Sequence, residues 1–226
     1  MNVTILVRLA AAAVATLTLL FAPAPSASAA PSVTAGACPD IEVVFARGTG
    51  ESPGVGYFGD AFVDSLRAKI GPKSMGVYGV NYPATTDFPT ALTGIEDASN
   101  HIEHTASTCP NTKMVLGGFS QGAAVMGFVT AAAIPEGAPA DTPQPMPPDV
   151  ANHVAAVVLF GKPSNQFMNQ FGQPKIVIGP LYVPKTTELC APGDPVCSDG
   201  GDFAAHNSYV DDGMVEQAAT FAASHV

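Results

Sequence analysis

The sequence predicts an α/β fold, a three-layer αβα sandwich in which a central parallel sheet of about five strands lies between two layers of helices. Short apolar runs alternate with amphipathic stretches of helical spacing along most of the chain, an order typical of parallel sheets covered on both faces. The composition agrees, because 47% of the residues are hydrophobic and 12% are charged, as expected for strands buried on both faces. The 226 residues are enough for one such core.

The predicted strands are the short apolar runs of this alternation, and the predicted helices are the amphipathic stretches between them. Strands are predicted at residues 41–46, 77–80, 113–116, 155–161 and 186–189. Helices are predicted at residues 58–70, 89–108, 123–133 and 213–224. In the first of these helices, the spacing places Phe62, Val63, Leu66 and Ile70 on one face.

Residues 134–150 form the longest stretch without a helical or strand pattern. They include six prolines and few apolar residues. We expect a surface loop there and not a domain boundary.

The first 29 residues have the pattern of a signal peptide. Arg8 is their only charge, an apolar run follows at residues 9–21, and Ala27-Ser28-Ala29 offers a small-residue cleavage site. The apolar run is too short to span a bilayer, so we expect removal of residues 1–29 and no stable membrane insertion. Residues 30–226 are then a single secreted domain.

The chain is acidic, with a formal net charge of −10 at pH 7. Such a surface repels phosphate backbones. We therefore expect no nucleic-acid partner.

Four cysteines in an exported chain predict two disulfides. Three pairings are possible. Sequence proximity favours Cys190–Cys197, which leaves Cys38–Cys109 as the second. A zinc site is the competing interpretation, but the sequence offers no Cys-x-x-Cys pair for it.

The segment Gly118-Phe119-Ser120-Gln121-Gly122 lies between a predicted strand and a predicted helix. A Gly-x-Ser-x-Gly sequence at such a corner is the nucleophile elbow of α/β-hydrolases. The turn strains the serine backbone and projects Oγ beyond the sheet edge, and side chains at the two glycines would collide with the neighbouring strand and helix. Ser120 is therefore the candidate nucleophile.

A nucleophilic serine needs a general base, which follows it in the chain order of α/β-hydrolases. The candidates are His153, His206 and His225. His153 precedes a strand that starts at the opposite edge of the sheet, and His225 is the penultimate residue. His206 lies on a loop just before the last predicted helix, where this fold delivers its base.

The acid that orients the base should follow the last strand. Asp194 is there, inside the Cys190–Cys197 ring, meaning the residues closed by that disulfide. A small ring would hold the carboxylate rigid and help to fix the histidine tautomer. Asp199 and Asp202 are alternatives, since Asp194 in Pro-Gly-Asp-Pro can also be a simple turn residue.

An oxyanion hole needs backbone N–H groups. One should belong to Gln121, directly after the candidate nucleophile, and the second should come from an early strand-to-helix loop. Residues 47–51, Arg-Gly-Thr-Gly-Glu, are that loop, with Thr49 as the donor. A plain glycine-rich turn is the alternative, and a phosphate loop is disfavoured because the Gly-Lys-Ser/Thr ending is missing.

His101 and His104 lie one helical turn apart and resemble part of a metal site. No third ligand is apparent in the sequence, so a solvated helix face is the better interpretation. We expect neither a metal nor an organic cofactor.

Four segments of the chain resemble the cutinases and cutinase-like serine esterases. They are residues 44–49 with Glu51, 118–122, 190–197 and 206–209. The resemblance implies a small, lidless α/β-hydrolase with a Ser120, His206 and Asp194 triad, an oxyanion hole from Thr49 and Gln121, and disulfides Cys38–Cys109 and Cys190–Cys197. Thr49, where fungal cutinases usually carry serine, and the loop 134–150 are more similar to the bacterial branch of the family.

The resemblance also implies the substrate class. Members of that branch hydrolyse short- and medium-chain acyl esters, and some act on phospholipids or polyesters. We therefore expect a secreted, monomeric carboxylic ester hydrolase, free or associated with the cell envelope. The apolar segments Tyr82-Pro83 and 178–183 are the best candidates for contact with the acyl chain, and core packing is the alternative for several of these residues. An acyltransferase with the same triad and a non-catalytic binding or antigenic protein are the alternatives.

Overall fold

A computed structural model describes residues 38–226. The described residues belong to one compact unit. The predicted signal peptide, residues 1–29, lies outside the described residues.

Five parallel strands form a single sheet, as the sequence predicts. The strands are β1 (Ile41–Ala46), β2 (Met75–Gly79), β3 (Lys113–Phe119), β4 (Val154–Phe160) and β5 (Thr186–Leu189). Their order in the sheet is β2-β1-β3-β4-β5, and every neighbouring pair is parallel. The three central strands are almost wholly buried, which explains their continuous apolar sequences.

Helices cover both faces of this sheet. The α-helices are α1 (Gly56–Arg67), α2 (Leu92–Thr108), α3 (Gln121–Val129), α4 (Asn165–Gln170) and α5 (Met214–Ala223). Short 3₁₀ segments lie at Phe88–Ala91, Pro148–His153, Val183–Lys185 and Ala205–Asn207. None of the helices between residues 38 and 226 has the length and hydropathy needed to cross a membrane.

Alternate side chains of the strands build two separate cores. In β1, Val43 and Phe45 pack with α1 and α5 on one face, whereas Val44 and Ala46 pack with α2 and α3 on the other. All four are fully buried. Each large apolar side chain buried in this way stabilises the fold by about 2 kcal/mol, so the two cores explain why the sheet forms in this register.

The predicted helices differ from the structure at their ends. The helix predicted at 58–70 is α1, which spans Gly56–Arg67. The predicted helix 89–108 consists of a 3₁₀ turn followed by α2. The helix predicted at 123–133 ends at Val129, because the Thr130 hydroxyl donates to the carbonyls of Met126 and Gly127 and competes with the continuing helix.

The proline-rich loop 134–150 contains no α-helix or strand. It is attached to the core by Met146 and Val150, which are 8% and 6% exposed. The rest of the loop lies at the surface, as predicted, and part of it borders the candidate site.

The two disulfides join Cys38 to Cys109 and Cys190 to Cys197. This is the pairing that the sequence favours. The first connects the start of the described chain to the end of α2, and the second closes the ring that follows β5.

The carboxyl ends of parallel strands gather at one edge of the sheet, where open α/β sheets bind ligands. The segment 47–51 follows β1, Ser120 follows β3, and the Cys190–Cys197 ring follows β5. The fold therefore brings the candidate residues to one place.

Candidate active site

Ser120 lies at a sharp corner between β3 and α3. Its backbone has φ 54° and ψ −117°, a conformation that costs a non-glycine residue roughly 1–3 kcal/mol. A Cβ at Gly118 would lie 2.3 Å from the carbonyl oxygen of Gly122, and one at Gly122 would lie 1.9 Å from that of Ala46. The collisions predicted from the sequence are thus present, and both glycines are required for the elbow.

Three polar side chains form a hydrogen-bonded row that starts at this serine. His206 Nε2 lies 2.8 Å from Ser120 Oγ, and His206 Nδ1 lies 2.8 Å from Asp194 Oδ2. Asp194 is fully buried, and the His206 side chain is 13% exposed. The imidazole also stacks near the ring of Phe119, with centroids 4.8 Å apart. The row has the geometry in which an imidazole takes a proton from a hydroxyl while a carboxylate fixes its tautomer.

The buried Asp194 carboxylate has further donors. Val196 N–H donates to Oδ1 over 2.8 Å, and the Tyr209 hydroxyl donates to Oδ2 over 2.6 Å. Burial and this bond to Asp194 raise the pKa of Tyr209 well above its ordinary value, so the hydroxyl stays a donor. A Cβ at Gly161, whose φ is 57°, would lie 2.8 Å from the Tyr209 oxygen and 3.1 Å from the His206 ring.

The other candidates for the acid and the base make contacts away from the Ser120, His206 and Asp194 row. Asp202 accepts from the N–H of Ala204, and the exposed Asp199 makes no bond to His206. His153 lies 3.1 Å from the carbonyl of Pro110, ahead of β4, and His225 bonds the end of α5.

Thr49 and Gln121 meet beside Ser120. The Thr49 hydroxyl donates to Gln121 Oε1 over 3.2 Å, and Gln121 Nε2 donates to the carbonyl of Thr85 over 3.0 Å. Within residues 38–226, the N–H groups of Thr49 and Gln121 have no hydrogen-bond acceptor. Two free amides therefore adjoin the serine, which is what a developing oxyanion requires.

A pocket of about 360 Å³ opens at Ser120 and His206. Its size is within the range of small-molecule sites. One wall comes from the turn before α2, another from α4 and the residues after it, and a third from the proline-rich loop 134–150. The apolar lining residues include Phe88, Leu92, Ile95, Val125, Phe128, Pro135, Pro139, Phe167, Met168 and Phe171.

A family model described as Cutinase matches residues 37–226.

The chain belongs to the cutinase family.

Individual members of the family show how close the relation is. "Probable carboxylesterase Culp5" of Mycobacterium tuberculosis is 71% identical over 171 residues, 76% of this chain and 98% of that protein. "Phospholipase Culp4" of the same organism is 52% identical over 197 residues, 87% of this chain and 83% of that protein. The structure of Trichoderma reesei cutinase in complex with a C11Y4 phosphonate inhibitor is 33% identical with a TM-score of 0.63, over 83% of this chain and 76% of that one. This cutinase-family protein is a serine carboxylic ester hydrolase.

The expected acyl contacts at Tyr82-Pro83 and 178–183 are wrong for this cutinase-family protein. Neither segment lines the pocket. Tyr82 is 4% exposed, and its hydroxyl donates to the carbonyl of Arg47. Tyr182 is 6% exposed, and burial raises its pKa to about 12. These two tyrosines are packed in the core.

The residues that form the pocket walls, and the contact of Tyr209 with Asp194, were not predicted from the sequence. A signal was present for α4, because Ser164 is a suitable N-cap and its Oγ accepts from the N–H of Phe167. Tyr209 lies in the segment 206–209 that carries the resemblance, but its bond to Asp194 is made through space and was not predicted.

His101 and His104 do not face each other across a common ligand. His101 stacks on Tyr78, with ring centroids 3.5 Å apart, and its Nε2 lies 3.2 Å from Glu42 Oε1. His104 is exposed. In the described part of the chain, no group of three or more histidines, cysteines or acids is arranged to hold a metal ion.

Proposed function

We propose that this protein is a secreted carboxylic ester hydrolase that works through an acyl-enzyme on Ser120. The observation that carries the proposal is the row from Ser120 Oγ through His206 to Asp194, with 2.8 Å at each step. Substrates are esters of short- to medium-chain acids, including lipid and polyester bonds.

In the first half of the reaction, Ser120 Oγ attacks the ester carbonyl as His206 Nε2 takes its proton. Asp194 balances the charge that forms on the imidazole. The carbonyl oxygen becomes an oxyanion beside the N–H groups of Gln121 and Thr49. Because the Thr49 hydroxyl is engaged by Gln121, the main-chain amides are the donors. His206 then protonates the departing alcohol, and the acyl group stays on Ser120.

In the second half, water replaces the alcohol. His206 takes a proton from the water, which attacks the acyl carbonyl, and the same two amides stabilise the second oxyanion. Collapse of this intermediate returns the proton to Ser120 and releases the acid. The proton transfers use Ser120, His206 and Asp194, whose side chains lie within hydrogen-bonding distance of their neighbours.

The acyl chain would lie in the apolar pocket. Its walls consist mainly of apolar side chains, phenylalanines among them, so hydrocarbon fits there better than a sugar or a charged acid. The similarity to a protein named a phospholipase supports lipid esters among the candidates.

Export is supported by the chemistry of the cysteines. Both disulfides lie in the described domain, and such bonds persist in oxidising compartments. Together with the signal-peptide pattern of residues 1–29, they support release outside the cytoplasm.

The direct test is Ser120→Ala, measured with p-nitrophenyl esters of graded chain length. Removal of the nucleophile should lower kcat by about 10⁴-fold or more without a loss of fold. Ser107→Ala, at an exposed serine of α2, is the matched control and should leave kcat unchanged. If Ser120→Ala kept a tenth of the activity, Ser120 would not be the nucleophile.

A further inference from the structure

The segment between β1 and α1 carries Thr49. The Glu51 carboxylate accepts two main-chain hydrogen bonds there. Glu51 Oε2 accepts the N–H of Gly48 over 2.5 Å, and Glu51 Oε1 accepts the N–H of Tyr57 over 2.7 Å. Both oxygens of the side chain are thus used by main-chain amides. Residues 47–51 are called the oxyanion loop below.

These bonds make the hydrogen bonding of two consecutive amides in the oxyanion loop different. The N–H of Gly48 is turned towards Glu51, whereas the N–H of Thr49 has no acceptor in the described chain. Without the carboxylate, the Gly48 amide would need another partner, since an unpaired amide is costly. Glu51 therefore engages the Gly48 amide, and the amide of Thr49, a residue that lines the pocket, is left without an acceptor in the described chain.

Gly56 leaves room for the Glu51 side chain, because it has no Cβ. A Cβ at Gly56, whose φ is 73°, would lie 2.5 Å from Glu51 Oε2. Gly56 is the first residue of α1, so the carboxylate lies at the positive end of the helix dipole, which favours its ionised form. The sequence thus provides both the space and the charge environment for Glu51.

The rest of the oxyanion loop is fixed from the other side by a buried arginine. Arg47 is 5% exposed, and its guanidinium donates to the carbonyls of Glu51, Val80 and Tyr82. Gly50 N–H donates to the carbonyl of Ala84 over 2.8 Å. The loop is therefore held at both ends, and Glu51 sets the orientation of its middle.

We propose that Glu51 is a positioning residue for ester hydrolysis, which presents the Thr49 amide to the oxyanion. The inference rests on the proposed function and deepens it. Glu51 acts on the transition state through Thr49 and does not itself touch the substrate. Its removal should therefore affect kcat more than KM.

Glu51→Gln is the most specific variant, because it keeps the shape of the side chain and loses one of its two acceptor oxygens. The amide oxygen can accept from one of the two N–H groups, but the NH₂ group would face the other. Direct loss of an oxyanion donor costs about 10²–10³-fold in kcat, so we expect a fall of about 10–100-fold with KM changed less than about threefold. Asp60→Asn, at an exposed acid of α1, is the control and should retain wild-type kcat.

An alkylboronic acid provides the readout that a merely structural role would not affect. It forms a tetrahedral adduct on Ser120, so its affinity depends on the oxyanion amides. In Glu51→Gln the boronate Kd should rise by about the same factor as kcat falls. If the variant does not fold, Glu51→Asp is the second test, because it keeps the charge but is one methylene too short to reach both amides.

The outcomes separate the two proposals. Wild-type kcat and boronate affinity in folded Glu51→Gln or Glu51→Asp would overturn the positioning role, as would a fall in kcat with unchanged boronate affinity. Ester hydrolysis that does not depend on Ser120 would overturn the proposed function, whatever Glu51→Gln shows.

Discussion

At the scale of single residues, the Asp194 carboxylate shows how a fully buried charge is accommodated. It accepts from Val196 N–H, His206 Nδ1 and the Tyr209 hydroxyl. A buried charge is tolerated only when it is well paired. The Tyr209 hydroxyl and His206 Nδ1 share the same oxygen, Oδ2, so Tyr209 draws on the negative charge that Asp194 presents to His206.

Tyr209→Phe tests this effect through the pH dependence of hydrolysis. Without the hydroxyl, Asp194 holds the proton on His206 more strongly, so the base becomes free only at higher pH. We expect the midpoint of the acidic limb of kcat/KM to rise by about half a pH unit. Tyr57→Phe, at an exposed tyrosine, should leave it in place. An unshifted midpoint in Tyr209→Phe would show that the hydroxyl has no influence on the base.

The sequence predicted Ser120, His206 and Asp194 because a nucleophile elbow and a chain order constrain them. Tyr209 and Gly161 could not be predicted in the same way. Their roles depend on the space around His206, where a Cβ at Gly161 would approach both His206 and Tyr209. Contacts of this kind appear only when three strand ends are brought together.

At the scale of elements, the Cys190–Cys197 ring and the Cys38–Cys109 bridge should have different effects. The short ring contributes about 2.5 kcal/mol to stability in the chain-entropy model, and the long bridge contributes about 4.4 kcal/mol. The ring, however, contains Asp194 and its donor Val196.

Two double variants separate these roles. Cys190→Ser/Cys197→Ser should stay folded at room temperature with a steep fall in kcat, because the orientation of the histidine can matter by about 10⁴-fold. Cys38→Ser/Cys109→Ser should lower Tm more and kcat less. Thermal melts and ester hydrolysis below both transitions give the comparison. Wild-type kcat in the first variant would mean that Asp194 does not depend on the ring.

The pocket walls are a second feature at this scale. Phe88, in the turn before α2, contacts Phe171, just after α4, with ring centroids 5.2 Å apart. Both residues line the pocket. Their contact joins two walls and limits the space for an acyl chain.

Phe171→Ala should therefore shift the chain-length preference towards longer acids. Each additional methylene that can be buried contributes about 0.8 kcal/mol, so the ratio of kcat/KM for dodecanoyl over butyryl esters should rise several-fold. Tyr57→Ala, which removes an exposed aromatic ring outside the pocket, is the control. An unchanged ratio would place the acyl chain elsewhere.

The sequence did not predict these walls, because apolar character alone does not distinguish a pocket from a core. Tyr82 and Tyr182 are aromatic residues in apolar segments, as Phe88 and Phe171 are. Only the structure shows that the two tyrosines are buried.

At the scale of the whole molecule, the sequence predicted the presence of the five strands. It predicted less well the helices that pack around them. The apolar runs indicated five strands and a parallel sheet, because the central strands β1, β3 and β4 pack on both faces. The short helix α4 and the end of α3 depend on single side chains, Ser164 and Thr130, and were not found.

The stability of the fold at acidic pH should depend on Glu42, a residue of β1 whose side chain contacts α2. Burial by itself would raise the pKa of Glu42, but His101 and Thr105 lower it below its ordinary value of 4.5. The depressed pKa means that the contribution of Glu42 is present above about pH 4.5 and is lost as pH falls through the lower, folded-state value. His104, Tyr78 and Asp97 are the other titratable groups nearby.

Glu42→Gln should therefore lower the free energy of unfolding at pH 7 by about 1 kcal/mol and have little effect near pH 3. Thermal melts at both pH values measure the difference. Glu96→Gln, at an exposed acid of α2, should be neutral at both. An equal loss at pH 7 and pH 3 would show that the charge of Glu42 does not stabilise the fold.

The covalent role of Ser120 is tested most directly by the mass of the protein after reaction with an alkyl fluorophosphonate. The row from Ser120 to Asp194 predicts one adduct per chain, located on Ser120 by peptide mapping. His206→Ala should slow the labelling by several orders of magnitude, because the base is missing. An adduct on another residue, or wild-type labelling in His206→Ala, would contradict the proposed mechanism.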